Sequence, residues 1–149
     1  MKTKITVING PNLNLLGTRK PEIYGSVTLD EIISRLRQRA SSTKFTIAAI
    51  QTNAEGAYIN AVQQSAEDSA GLIVNAAAYS HTSIGIRDAL EAAQIPVVEV
   101  HLSNIFAREE FRHHSHISGV VKGVISGFGA HGYILAFDAL VQMLESGKA

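Results

Sequence analysis

The chain has 149 residues, with thirteen Lys plus Arg against thirteen Asp plus Glu, and no cysteine. That length suits one domain, which buries roughly two-thirds of its extended surface and needs no staple. Balanced charge excludes a strongly basic nucleic-acid or membrane-surface protein, and the missing thiols exclude disulfides, cysteine nucleophiles and zinc–thiolate sites.

In chain order, Met1-Lys2-Thr3-Lys4 precedes an apolar run, Ile5 to Ile8, that is too short for a signal segment or a membrane span. The expectation is a soluble, cytoplasmic chain with no membrane or nucleic-acid partner. Pro11 to Gly25 follows as a long connection holding Gly17, Pro21 and Gly25, too irregular for a helix. Such loops are often lids, and this one is expected to cover a site from about residue 17 to 26. Leu29, Ile32, Ile33 and Leu36 then recur at helical spacing, with Thr28 as N-cap and Glu31 completing a capping box.

A second apolar run, Phe45 to Ile50, leads to a helix marked by Tyr58, Ile59 and Val62. Leu72 to Val74 leads to one marked by Ile84, Ile86 and Leu90. Val97 to Val100 and Val120 to Ile125 are the last two runs. The final helix carries Ile134, Leu135, Phe137, Leu140, Val141 and Leu144. The five runs are near-continuously apolar, as parallel strands covered on both faces are. Strands alternating with helices imply an α/β fold, a doubly wound sandwich with a five-stranded parallel sheet, as one domain over 1–149.

Ligands of such sheets sit beyond the carboxyl ends of the strands. Here those ends read Asn9-Gly10-Pro11-Asn12; Gln51 and Asn53; Asn75, Tyr79, Ser80 and His81; Glu99, His101, Ser103 and Asn104; and Gly127 and Gly129. Any single loop Asn is most simply a solvated one. An entire edge of neutral hydrogen-bonding groups suits a hydroxylated small molecule.

Glu99 and His101 are two apart on a predicted strand, so their side chains leave the same face. A carboxylate there can set the imidazole tautomer and prepare a general acid. An ordinary ion pair explains the spacing too, but its place on the binding edge of an apolar strand favours function. Arg108 and Arg112, four apart on an expected short helix, can fork around an anionic or polyhydroxylated ligand. Neutralisation by Glu109 and Glu110 accounts for them equally well. Arg19 and Tyr24 share the lid, where a positive charge beside a phenol favours the phenolate. By spacing alone, a tyrosine that packs the lid shut is the simpler account.

Two patterns are set aside. Gly127-Phe128-Gly129-Ala130-His131-Gly132 fits the dinucleotide fingerprint, but no further strand with a ribose-binding acid follows its helix. His113, His114 and His116 lack the spacing and the carboxylate partner of a metal site.

Taken together, these motifs have a counterpart. Ile8-Asn9-Gly10-Pro11-Asn12-Leu13-Asn14-Leu15-Leu16-Gly17, Gln51-Thr52-Asn53 with Glu55-Gly56, and Tyr79-Ser80-His81-Thr82-Ser83 resemble type II 3-dehydroquinate dehydratases. Arg87-Asp88-Ala89-Leu90, Glu99-Val100-His101-Leu102-Ser103-Asn104 and Arg108-Glu109-Glu110-Phe111-Arg112 do so as well, in the family's order. The resemblance implies a flavodoxin-like fold and a cofactor-free hydro-lyase. That enzyme would take 3-dehydroquinate to 3-dehydroshikimate by anti elimination through an enolate, without a Schiff base. The reaction belongs both to the shikimate pathway of aromatic amino-acid and chorismate biosynthesis and to quinate breakdown.

By the same resemblance, Tyr24 is the lid base and Arg19 its activator. Asn12 holds a water at the enolate oxygen. His101, paired with Glu99, is the general acid. Asn75, His81 and Arg112 contact substrate hydroxyls, Leu102 and Ser103 hold the carboxylate, and Arg108 supports the lid. Asp88 acts from a neighbouring subunit of a dodecamer built from trimers. The chain departs from the family pattern at Ala76, where proline is usual, at Lys20, where an acid is common, and at Ala54, where histidine is. The competing reading is a non-catalytic flavodoxin-like module that binds a small molecule.

Overall fold

The computed structural model describes residues 1–147, so the expected span of 1–149 ends two residues outside the described ones. Five strands form one parallel sheet in the order β2-β1-β3-β4-β5, with β1 at Lys4–Asn9, β2 at Thr46–Gln51, β3 at Gly71–Asn75, β4 at Val97–His101 and β5 at Gly123–Ser126. This is the flavodoxin-like order, whose switch point lies between β1 and β3.

Residues alternate across the sheet. Ile5, Val7, Ile73, Val98 and Val100 pack toward α2 (Leu29–Ala40) and α5 (His131–Ser146). Ile8, Leu72, Val74 and Val97 pack toward α3 (Glu55–Asp68) and α4 (Ile84–Ala93). The central strands β1, β3 and β4 are buried, which explains their continuous apolar runs. The expectation of two covered faces fails at the edges. β2 and β5 are partly exposed, each having a neighbouring strand on one side only.

Three local expectations need correction. The last run starts its strand at Gly123, because Ser118–Val120 forms a 3-10 turn before it. The capping box of α2 forms by half. Thr28 accepts the Glu31 amide, but no return bond from the Glu31 carboxylate accompanies it. The lid is also less irregular than expected, since Pro21–Tyr24 makes one helical turn, α1. Proline at the first position presets that turn. Gly17 and Gly25 bracket it at φ +94 and +86, conformations that a side chain disfavours. No helix among the described residues is long and apolar enough to cross a membrane.

Candidate active site

One cleft opens beyond the carboxyl ends of β1, β3 and β4. Its lining includes Asn12, Asn75, His81, His101, Leu102 and Ser103 from the strand ends, together with Arg19 and Tyr24 from the lid and Arg108 and Arg112 from the loop after β4. Ten of the twelve residues singled out in the sequence therefore meet there. Glu99 lies behind His101, fully buried. Asp88 does not reach the cleft; it is exposed on α4.

The floor is fixed by amides. Asn12 adopts a left-handed conformation, with φ 68, and its backbone N–H donates to Asn53 Oδ1 at 3.0 Å. Gln51 Nε2 donates both to that oxygen and to the Gly10 carbonyl, at 3.1 Å each. At the end of β3, Asn75 Nδ2 donates to the Tyr133 hydroxyl at 3.0 Å, and Asn75 Oδ1 accepts the Ala77 N–H at 3.1 Å. Tyr133 in turn donates to Asn9 Oδ1 at 2.8 Å. Asn9 is wholly buried and structural, although its place at a strand end marked it as a candidate.

The two imidazoles face the cleft in defined tautomers. His81 Nδ1 sits 2.8 Å from the His114 carbonyl, which can only accept, so Nδ1 carries the hydrogen. Burial pushes His81 below its ordinary 6.5, against the opposing effect of the His114 bond. The neutral ring thus offers a lone pair at Nε2. His101 Nε2 bonds Glu99 Oε2, which leaves Nδ1 as its available nitrogen. Glu99 also accepts Ser115 Oγ at 2.8 Å and Ser118 Oγ at 2.6 Å. Burial raises the Glu99 carboxyl, but the His101 bond and charge and the two serine hydroxyls outweigh it, holding the group below its ordinary 4.5. Glu99 is a buried anion with every donor it needs.

Arg108 and Arg112 converge by a different route from the expected helix face. Arg108 is extended, at φ −108 and ψ −167, and separates the 3-10 turns Ile105–Ala107 and Glu110–Arg112. Glu109 does pair with Arg112, at 2.8 Å, so neutralisation and a place in the cleft coexist. Arg108 Nη1 donates to the Tyr24 hydroxyl at 2.8 Å. Arg19 stacks on the other element of that contact, its guanidinium carbon 5.0 Å from the Tyr24 ring centre. Among the described residues, no protein acceptor takes the Leu102 or Ser103 backbone N–H. Both N–H groups are therefore open to an acceptor on a ligand.

Among the residues that hold this site, Ser115, Ser118 and Tyr133 went unread in the sequence. Each acts across a long separation and carries no spacing signal. Among the described residues, no group of three or more His, Asp or Glu is placed to hold a metal ion. Gly127 and Gly129 have φ +100 and +60, which the tight turn from β5 toward α5 requires of them.

Comparison with known proteins agrees with this arrangement. The family model described as Dehydroquinase class II matches residues 3–141. The chain is 53% identical over 146 residues to the 3-dehydroquinate dehydratase of Jannaschia sp. (strain CCS1), covering 98% of this chain and 99% of that one. Among solved structures, the type II dehydroquinase from Propionibacterium acnes superposes with a TM-score of 0.89 at 43% identity, over 97% of this chain and 98% of that one. The type II dehydroquinase from Butyrivibrio crossotus DSM 2876 does so with a TM-score of 0.91 at 42% identity, over 94% and 98%. With the family model spanning nearly the whole sequence and relatives above half identity end to end, this chain belongs to the class II dehydroquinase family.

Proposed function

We propose that the chain is a type II 3-dehydroquinate dehydratase that removes water from 3-dehydroquinate to give 3-dehydroshikimate. The observation that carries this reading is the convergence of a lid tyrosine, an acid-side imidazole and an amide floor on one cleft. Tyr24, as phenolate, takes the proton alpha to the ketone. Arg108 at its oxygen and Arg19 at its ring supply the cationic surroundings in which an oxyanion is held. The electron pair moves to the ketone oxygen, and a water held by Asn12 stabilises that enolate.

As the enolate collapses, the carbon–carbon double bond forms and the β-hydroxyl leaves. His101 Nδ1 gives it a proton, so that water departs. Glu99 is a positioning residue here, since it touches His101 and not the reacting atoms. The Leu102 and Ser103 donors seat the substrate carboxylate. Asn75, His81 and Arg112 meet its hydroxyls. Of these, Asn75 has both polar side-chain atoms already engaged, so His81 Nε2 and Arg112 carry more of that recognition.

The same proposal extends to organisation. Residues 1–149 form a single catalytic domain whose lid spans about 17–26, with no cofactor, in the cytoplasm. The chain assembles as a dodecamer of trimers, which would bring Asp88 to a neighbour's site. Support for an assembly comes from Phe106, Val124 and Phe128, which are exposed around the edge strand β5.

The test is ultraviolet absorbance of purified protein mixed with 3-dehydroquinate. Growth of the conjugated enone band, insensitive to chelator and to borohydride, supports the reading. Tyr24→Phe should abolish turnover and leave assembly intact. A flat trace from folded wild-type protein would refute the dehydratase and favour a binding module.

A further inference from the structure

The segment after Arg112, residues 113–118, has no part in the reaction as written, yet it touches one imidazole of the cleft directly and supports the other through Glu99. It is anchored firmly. His116 N donates to the Ser80 carbonyl at 2.8 Å, Arg87 Nη1 donates to the His116 carbonyl at 2.7 Å, and Ile117 is wholly buried against α3 and α4. From this strap, the His114 carbonyl takes the Nδ1 hydrogen of His81. Ser115 and Ser118 place their hydroxyls on Glu99, one on each carboxylate oxygen.

That arrangement is more specific than solvation of a buried charge. Oε2 of Glu99 receives both His101 Nε2 and Ser115, while Oε1 receives Ser118. With both oxygens held, the carboxylate plane cannot rotate, and neither can the ring bonded to it. Hydroxyl donors stabilise the anion without cancelling its charge, so among the described residues His101 is the one basic side chain that the carboxylate contacts. Other titratable groups lie further off. Tyr58 of α3 and His81 of the turn after β3 feel Glu99 through space, and Arg112 faces His81.

We propose that Ser115 and Ser118 are positioning residues for the reaction, which lock Glu99 as an oriented carboxylate and so determine that Nδ1 of His101 is the nitrogen presented to the leaving hydroxyl. This rests on the dehydratase reading for its kinetic consequences but not for its structural content. A backbone carbonyl or water would satisfy a buried carboxylate poorly, since one repels it and the other can exchange. Two fixed hydroxyls do neither.

The experiment compares wild type, Ser115→Ala, Ser118→Ala, the double variant and Ser118→Thr. Each is assayed for kcat and KM across pH and observed by nitrogen NMR of the His101 ring. In the double variant, kcat should fall about tenfold to a hundredfold, the scale of hydrogen bonds to a charged group. KM should stay within about twofold, because no substrate contact is removed. The limb on which Glu99 takes up a proton should move to higher pH, since two bonds that favour its anion are gone. The neutral His101 ring should populate both tautomers. Ser118→Thr keeps a hydroxyl and should recover most of the loss.

Unchanged kcat, limb and ring spectrum in the double variant would overturn the proposal. So would a loss expressed in KM with the ring spectrum unaltered, which marks a purely structural strap. If the double variant does not fold, the two single variants carry the comparison. A wild-type neutral ring protonated at Nδ1 rejects the proposal outright. Absence of wild-type turnover would instead sink the dehydratase reading and leave the ring spectra still decisive here.

Discussion

Arg108 Nη1 lies 2.8 Å from the hydroxyl oxygen of Tyr24, and its guanidinium carbon stands 5.1 Å from the centre of the same ring. Arg19 stands at 5.0 Å from that centre without a bond to the oxygen. The two arginines therefore do different things to one phenol. Arg108 addresses the hydroxyl oxygen, the atom we propose as proton acceptor, and Arg19 addresses the ring.

Arg108→Gln should accordingly lower kcat by about tenfold to a hundredfold, the scale of a lost charge-assisted hydrogen bond. KM should change less. An unchanged kcat in Arg108→Gln, from protein that folds as wild type does, would remove Arg108 from the base.

His81 gives a pH dependence of defined sign. Burial lowers its proton affinity below the ordinary 6.5, so the folded protein binds that proton less readily than the unfolded chain. The stability it contributes is complete above 6.5 and is lost as pH falls through the lowered value. Over the same window Nε2 becomes a donor and can no longer accept a substrate hydroxyl. KM should rise about threefold to tenfold as pH falls, which is one hydrogen bond's worth. His81→Ala should show that higher KM at every pH, with the dependence gone. Urea unfolding across pH checks the stability half.

Glu99→Gln tests the buried pair. Its carboxyl is held below the ordinary 4.5, so the stability it contributes is present above 4.5 and lost as pH falls through the lowered value. Glutamine keeps the shape but turns one acceptor oxygen into an NH₂ facing donors from His101 and a serine. Breaking one side of a buried pair typically costs about 3–5 kcal/mol. The midpoint of thermal unfolding should drop, kcat should fall with KM nearly unchanged, and the acid-side slope of stability should flatten. A variant as stable as wild type at neutral pH would show that the anion contributes nothing.

Why the sequence yielded the cleft but not its supports follows from how each signal arises. The central strands announce themselves because burial on two faces favours near-continuous apolar runs in β1, β3 and β4, broken chiefly toward their carboxyl ends. Residues at their ends are then placed by topology, so the sequence alone sets Asn12, Asn75, His81 and His101 along one edge. Edge strands broke the rule, since β5 pairs on one side and its start is masked by apolar Val120 and Val121 in a turn and bend. For Arg108 and Arg112 the sequence displays only a four-residue spacing, which suggests a helix; the extended residue between two short turns has no periodic mark. Tyr133 and Asn9 are 124 residues apart, and Ser118 and Glu99 are 19 apart. Such partners are chosen by three-dimensional packing, and a serine in a loop looks the same whether solvated or donating to a buried carboxylate.

One contact between backbones predicts opposite outcomes for two substitutions. A Cβ on Gly10 would come within 2.5 Å of the Ala76 carbonyl oxygen, and that oxygen belongs to a turn that cannot swing aside. The Gly10 N–H also donates to the Asn75 carbonyl at 2.8 Å, so the first and third strand ends are fastened together there. Gly10→Ala should cost about 1–3 kcal/mol as an overpacked site and shift the turn carrying Ala77 and His81. Lower kcat/KM should accompany the lower unfolding midpoint. Ala76 itself has φ −77, within proline's range, follows an extended residue of β3, and donates its N–H to no protein acceptor among the described residues. Ala76→Pro should therefore stabilise the fold by about 0.4–1 kcal/mol, chiefly by restricting the unfolded chain, and leave kcat as it is. Thermal melts of the two variants beside wild type decide the matter. A destabilised Ala76→Pro would mean that the buried turn has no room for the ring, and the departure from proline at this position would then be a packing requirement of this chain.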